Sequence, residues 1–351
     1  MKFCPECGTK IISQRFCHEC GCKISNGGND ADVVKSSSTV NDEFTPIFSD
    51  FSGSFSFDEP KNDTDSSSFD FSSFSVDEDK NDSYKPEVFV APISSNSFDD
   101  GVIDSDLVIK NGVLLEYKGK KSKVTVPSTV TRISAEAFYM HDYVESVIVG
   151  TNVKEIGEDA FIECKDLRMV SLPEGLKKID DHAFAFNERL SVISIPSSVT
   201  EIGEGAFENT GMSSVEIPKG VEIISEEAFR VCKNLKKVTI KEGVKTVGTN
   251  AFELCENLTV IILPSTLRVI EHGAFSGTGI SSIDLPEGLC EIESYAFFEC
   301  FNLKEIKIPK SVKQIEGDAF VACDNLKRIY VPRHLNFDYE DSKIDAEIIY
   351  Y

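Results

Sequence analysis

The stretch Leu190–Asn209, LSVISIPSSVTEIGEGAFEN, decides the fold. Its frame, Leu-x-x-Val/Ile-x-Ile/Leu-Pro-x-x-Val-x-x-Ile-x-x-x-Ala-Phe, comes round nine times. The Phe marks fall at Phe138, Phe161, Phe184, Phe207, Phe229, Phe252, Phe275, Phe297 and Phe320, in steps of 23 with two steps of 22. A fixed period in this range is the sequence signature of a solenoid, in which each copy buries its apolar face against the next.

Within one copy, Leu-x-x-Val-x-Ile is β-branched and alternating, as a half-buried strand requires. Val147 and Val149, Ile193 and Ile195, and Ile306 and Ile308 are therefore expected to face the core. The following Pro (Pro173, Pro196, Pro218, Pro309) lacks a ladder donor and ends the strand. Val-x-x-Ile then leads into the Ala-Phe turn, where Phe fills the space between rungs and Ala keeps clear of the next coil. Three residues after the Phe comes a small position, held by Cys164, Cys232, Cys255, Cys300 and Cys323, and elsewhere by His141, Asn187, Thr210 and Thr278. A free thiol there is expected to act as a small buried hydrophobe. Two copies drop a residue at this turn and carry Gly211 and Gly279. Cys290 lies outside the column and is assigned no role.

The phrase IPSSVTEIGEGAF, with AFxxC-x-NL in neighbouring copies, resembles the BspA-like bacterial leucine-rich repeat over roughly Val124 to Pro332. That resemblance implies a curved right-handed solenoid with a parallel sheet on one face, and protein recognition or adhesion as its business. Gly150 and Lys241 depart from the frame where Pro is expected. The strand faces not committed to the core would line the concave surface, and Met169, Val192, Lys237, Val260, Ile262, Glu305, Lys307, Arg328 and Tyr330 are the candidate partner-binding residues. Apolar members rimmed by hydroxyls suit a protein partner, and Lys307, Arg328 and Tyr330 suit acidic chain.

The flanks divide the rest into domains. Residues 1–24 hold FCPECGTKI and FCHECGCKI, so Cys4, Cys7, Cys17 and Cys20 form C-x2-C-x9-C-x2-C. Four soft thiolates on two turns are the donor set of one structural, tetrahedral Zn²⁺, and metal binding would supply the folding free energy of so short a segment. Each knuckle is similar to the zinc-ribbon family found at the N-terminus of many bacterial proteins. His18 and Cys22 are spare beside a complete tetrahedron. Residues 25–105, rich in Ser, Asp and Phe, carry a large acidic excess and little aliphatic surface, which reads as a disordered linker. Its phenylalanines (Phe48, Phe51, Phe55, Phe57, Phe69, Phe71, Phe74) leave open a docking segment as well as a tether. Residues 106–351 form the solenoid, with a hairpin cap over 106–123 centred on Asn111-Gly112 and a C-terminal cap over 333–351 ending in the strand-like AEIIYY.

The whole chain has a formal net charge of −23, which opposes binding to nucleic-acid phosphates. No run of 18 apolar residues and no signal-peptide pattern occurs, so no membrane segment and a cytoplasmic location are expected. The five histidines have no nucleophile or carboxylate partner at a recognised spacing, and no phosphate loop follows a strand. The expected function is thus a non-enzymatic scaffold that binds a protein partner, with no small-molecule substrate. A surface adhesin and a zinc-ribbon regulator associated with nucleic acid are the alternatives.

Overall fold

The computed structural model describes residues 104–335, 337 and 345–351, with the backbone of Lys2–Phe3 and Lys10–Ile11. Cys4, Cys7, Cys17, Cys20, His18 and the acidic segment 25–103 lie outside the described residues. The solenoid and the two short N-terminal strands belong to one of the two units of the chain, Met1–Asn26 with Asp99–Tyr351.

The copies contribute strand to two kinds of parallel ladder, the first interrupted at two rungs. The first ladder is built from Lys123–Thr125, Ser146–Ile148 and Met169–Ser171, then Ser214–Ile217, Lys237–Ile240 and Val260–Ile262, then Glu305–Lys307, Arg328–Val331 and Glu347–Tyr350. The second comes from Val-x-x-Ile, whose last two residues pair with the next copy, as in Lys178–Ile179 between Glu155–Ile156 and Glu201–Ile202. The repeat frame suggests one sheet. A two-residue strand is too short to announce itself by alternation, so only the fold shows the second ladder. Lateral register there is reinforced by charge, because Arg132, Glu155, Lys178 and Glu201 alternate along one column, with Arg132 to Glu155 at 3.1 Å and Lys178 to Glu201 at 2.9 Å.

The Phe turn closes the third side by backbone bonding. In the first copy the amides of Glu136, Phe138 and Met140 donate to the carbonyls of Glu158, Ala160 and Ile162 one copy on, at 2.7–3.0 Å. Reaching this geometry requires a left-handed residue two places before and two after the Phe, as at Glu136 (φ 57°) and Met140 (φ 54°). Each such residue costs about 1–2 kcal/mol, offset by an otherwise unmade buried hydrogen bond. In the copy of Phe275, Gly273 and Gly277 occupy both positions without that cost.

Nine phenylalanines form one stack through the core, all fully buried. Neighbouring centroids are 4.6–5.6 Å apart and interplanar angles do not exceed 23°. Tyr117 continues the stack at the N-terminal end, 5.2 Å from Phe138, and Phe337 closes it edge-on at 6.4 Å from Phe320. The Ala column beside the rings is also buried. Close approach elsewhere demands glycine: a Cβ on Gly203 would collide with the backbone nitrogen of Asp181.

The small position after the Phe is a hydrogen-bond donor column as well as a packing site. Cys164, Cys232, Cys255, Cys300 and Cys323 each donate Sγ–H to the Phe carbonyl of the preceding copy at 3.0–3.2 Å. Asn187 donates to both Phe161 and Phe184, and Thr210 and Thr278 donate to their own Phe. What unites His141, Cys, Asn and Thr at this slot is therefore a donor of modest size, since a buried orphan carbonyl is costly. Burial pushes the Cys164 thiol up to about 12.

Further strands flank the repeats at both ends. Leu107–Lys110 and Val113–Tyr117 pair antiparallel, and Asn111 (φ 52°) and Gly112 (φ 75°) supply the two left-handed residues of a primed turn. The hairpin extends the second ladder by parallel pairing of Val113–Tyr117 with Arg132–Ile133. At the other end Glu347–Tyr350 adds to Arg328–Val331 as the last strand of the first ladder. Ile193 and Ile195 pack against the core as expected, though not within it. They are only half-buried, and their rung is held by a single bridge, Met169 to Val192. The next turn, Thr210-Gly211-Met212, is the first to drop a residue, and the ladder restarts beyond it at Ser214. The second short turn, Thr278-Gly279-Ile280, is likewise followed by a rung, Ser282–Asp284, that forms no strand.

Candidate partner-binding face

Strand alternation sends Val170, Val215, Val238 and Ile306 inward and their neighbours outward. The nine candidate residues all emerge on the outward side of the first ladder. Met169, Val192, Lys237, Val260, Ile262, Glu305, Lys307 and Arg328 are exposed and Tyr330 is half-buried. Val192 at 58%, Ile262 at 47% and Val260 at 45% exposure are large apolar side chains that fold stability alone would place inside. Register brings them into columns: Lys237 lies beside Val260, Thr239 beside Ile262, and Met169 beside Val192. The apolar residues thus fall in two groups, separated by the rung of Ser214 and Glu216, where Glu216 pairs with Lys241 at 3.0 Å.

Toward the C-terminus the face carries mixed charge, with Lys307 and Arg328 among Asp284, Glu305 and Glu347. Arg328 is paired with Glu305 one rung away at 2.9 Å. Lys307 and Lys310 both approach the ring of Tyr351, at 5.0 and 5.7 Å from its centroid. Tyr351 is fixed there because its hydroxyl donates to the Ile308 carbonyl at 2.8 Å, and burial raises its phenol above the ordinary value. A shallow depression of about 470 Å³, bordered by Asp284, Glu305, Lys307, Tyr330 and Tyr351, opens where the Ser282–Asp284 rung leaves the ladder. Acidic side chains collect around the Phe turns, at Glu136, Asp159, Glu227 and Glu253 among others. Arg230 is clamped there between Glu208 at 2.9 Å and Glu253 at 2.6 Å.

Two features escape a reading of one copy at a time. The lysine pair on Tyr351 joins Lys307 to a residue beyond the repeats, and the depression lies where Ser282–Asp284 forms no strand. Of the histidines, His141 bonds the Tyr117 carbonyl at 2.7 Å, His334 bonds that of Val312 at 3.2 Å, and His272 stacks edge-on to Tyr295. Among the described residues no group of three metal-binding side chains gathers, and no helix is long and apolar enough to cross a membrane.

These features define a parallel β-solenoid of leucine-rich-repeat type. Its repeats match the BspA type leucine rich repeat region in six copies, over residues 113–236 and 222–341, and the chain belongs to that family, whose members are non-enzymatic repeat proteins. Among solved structures, a leucine-rich repeat protein from Bacteroides ovatus is 23% identical and aligns with a TM-score of 0.50, over 71% of this chain and 76% of that one. A T. pallidum leucine-rich repeat protein is 23% identical with a TM-score of 0.39, over 68% and 91%. A leucine rich cell surface protein from Faecalibacterium prausnitzii is also 23% identical, with a TM-score of 0.34, over 65% and 93%. At 23% identity the likeness to the Bacteroides ovatus protein is one of fold. No curated protein matches the chain.

Proposed function

We propose that the chain is a non-enzymatic interaction protein that engages a protein partner through the outward side of the first ladder. The observation that carries this reading is the exposure of Met169, Val192, Val260 and Ile262 on the outward side of the first ladder. Burying apolar surface of this kind stabilises a complex by about 25 cal/mol per Å² before the costs of association. The neighbouring serines and threonines supply hydrogen bonds without charge desolvation, as an interface rim does.

In this proposal residues 1–24 are a second recognition module, a ribbon built on one structural Zn²⁺ held by Cys4, Cys7, Cys17 and Cys20. The antiparallel pairing of Lys2–Phe3 with Lys10–Ile11 supports it, because that pairing brings together the two ends of the segment containing Cys4 and Cys7. Four thiolates saturate a tetrahedral ion and leave no open position, so the metal's contribution is to folding. Residues 25–105 serve as a tether that lets both modules act on one assembly, and the chain works in the cytoplasm. The test is affinity capture with wild-type bait beside variants that place a charge at Val192, Val260 or Ile262, which are expected to lose the partner.

A further inference from the structure

The first ladder has an open edge at each end. At the N-terminal end the Val126 amide donates to the Ile148 carbonyl at 2.9 Å, and Val124 faces the same way by alternation. The N–H and C=O groups of Lys123 and Thr125 therefore point away from the ladder. At the C-terminal end the amides of Glu347 and Tyr351 donate to the carbonyls of Lys327 and Val331 at 2.9 and 3.0 Å, so those of Ile348 and Tyr350 point away on the other side. Among the described residues no strand pairs with either edge. Such an edge is a template for a further strand.

The side chains mark the C-terminal edge as unfinished. Ile348 and Tyr350 stand in register with Ile329 and Val331, both fully buried, yet Ile348 is half-buried and Tyr350 is 45% exposed. One more rung would cover both. The charge that rung should carry follows from the column Glu305, Arg328 and Glu347. Arg328 is paired with Glu305 at 2.9 Å and lies beside Glu347, so the signs alternate and the next place favours a cation. Lys123 holds that place at the opposite end of the ladder. It precedes the inward Val124 as Arg328 precedes Ile329, is exposed, and has no carboxylate partner among the described residues. The ends are also stepped to match. The hairpin carries the second ladder two strands beyond the rung of Lys123–Thr125, while Arg328–Val331 and Glu347–Tyr350 carry the first ladder two strands beyond the rung of Gln314–Ile315, the last described strand of the second.

We propose that the C-terminal edge of one chain pairs in parallel with the N-terminal edge of a second copy, placing Glu347 beside Lys123, Ile348 beside Val124 and Ile349 beside Thr125, so that the ladder runs on from chain to chain. Because the two edges differ, the contact does not close on itself and assemblies grow beyond two copies. The outward face takes no part in this contact.

The experiment is sedimentation velocity of the full-length chain over about a hundredfold range of concentration, with circular dichroism of every variant alongside. Species larger than a dimer are expected, growing with concentration and receding as salt rises. Lys123→Glu and Glu347→Lys should each weaken association about tenfold or more, and an equimolar mixture of the two should recover it, because each variant then meets an opposite charge at both ends. Tyr350→Pro removes an amide that makes no ladder bond, so it should abolish association and leave the unfolding midpoint of the single chain unchanged. A chain that stays monomeric throughout the range would overturn the proposal. So would association that stops at the dimer and ignores Lys123→Glu, as antiparallel pairing of two C-terminal edges would, or a mixture of the two charge variants that associates no better than either alone.

Discussion

Phe252 lies inside the ring stack, fully buried, with Phe229 at 5.4 Å on one side and Phe275 at 5.6 Å on the other. Phe252→Ala removes the side chain and both stacked contacts. Truncations of this size cost about 3–5 kcal/mol, and each aromatic pair adds about 0.5–1.5 kcal/mol beyond its buried area. The walls have little freedom to collapse, because the Phe252 amide is bonded to the Ala274 carbonyl at 2.9 Å and the copies on both sides are held in the same way. A loss near the upper end of that range, about 5 kcal/mol, is expected from urea unfolding followed by circular dichroism with the slope m unchanged. Phe186 provides the comparison: it is 38% exposed, outside the stack, and Phe186→Ala should cost less than about 1 kcal/mol. A Phe252→Ala loss below about 2 kcal/mol, or one equal to that of Phe186→Ala, would refute the idea that the stack holds adjacent copies together.

The donor column predicts that Asn187→Leu, which removes both bonds to the Phe161 and Phe184 carbonyls, costs about 2–4 kcal/mol in the same assay. Asn187→Cys, restoring the thiol donor used by other copies, should cost clearly less. Cys164 has a thiol pKa of about 12 in the folded chain against an ordinary value of 9.0. A raised folded-state pKa contributes stability that is fully present below pH 9.0 and is lost as pH rises through about 12, so Cys164→Ala should show a shallower fall in unfolding free energy than wild type across that window. The zinc proposal requires about one metal equivalent by elemental analysis, lost in the variant Cys4→Ser/Cys17→Ser. Retention of metal by that variant would remove the ribbon from the account.

The path of the solenoid was legible because Phe, Ala and Pro recur at fixed offsets and each occupies a site that few residues fill. Asn111-Gly112 announced its hairpin for the same reason, since both residues must take positive φ. The left-handed positions of the Phe turn were not legible. Glu136, Asp159, Tyr295 and Ala322 share them with Gly273 and Gly277, so cross-copy hydrogen bonds, and not residue type, impose the geometry. Tyr117 is absent from any repeat alignment because it precedes the first copy, yet it continues the ring stack. Alternation placed Ile193 and Ile195 against the core, where they pack, but it did not show that they stay half-buried next to the shortened turn at Thr210–Met212. The outward columns were readable once the inward Val and Ile were fixed. Their grouping into two apolar clusters and an end of mixed charge needed the register between copies.

The claim that the first ladder's outward face is the binding surface is tested most directly by quantitative affinity capture with two full-length baits, wild type and Val192→Asp/Val260→Asp/Ile262→Asp, matched for unfolding midpoint. The account predicts a protein captured by the wild type and lost with the triple variant, because three charges would be forced into an apolar interface. Recovery of the same protein in equal yield by both baits would contradict it.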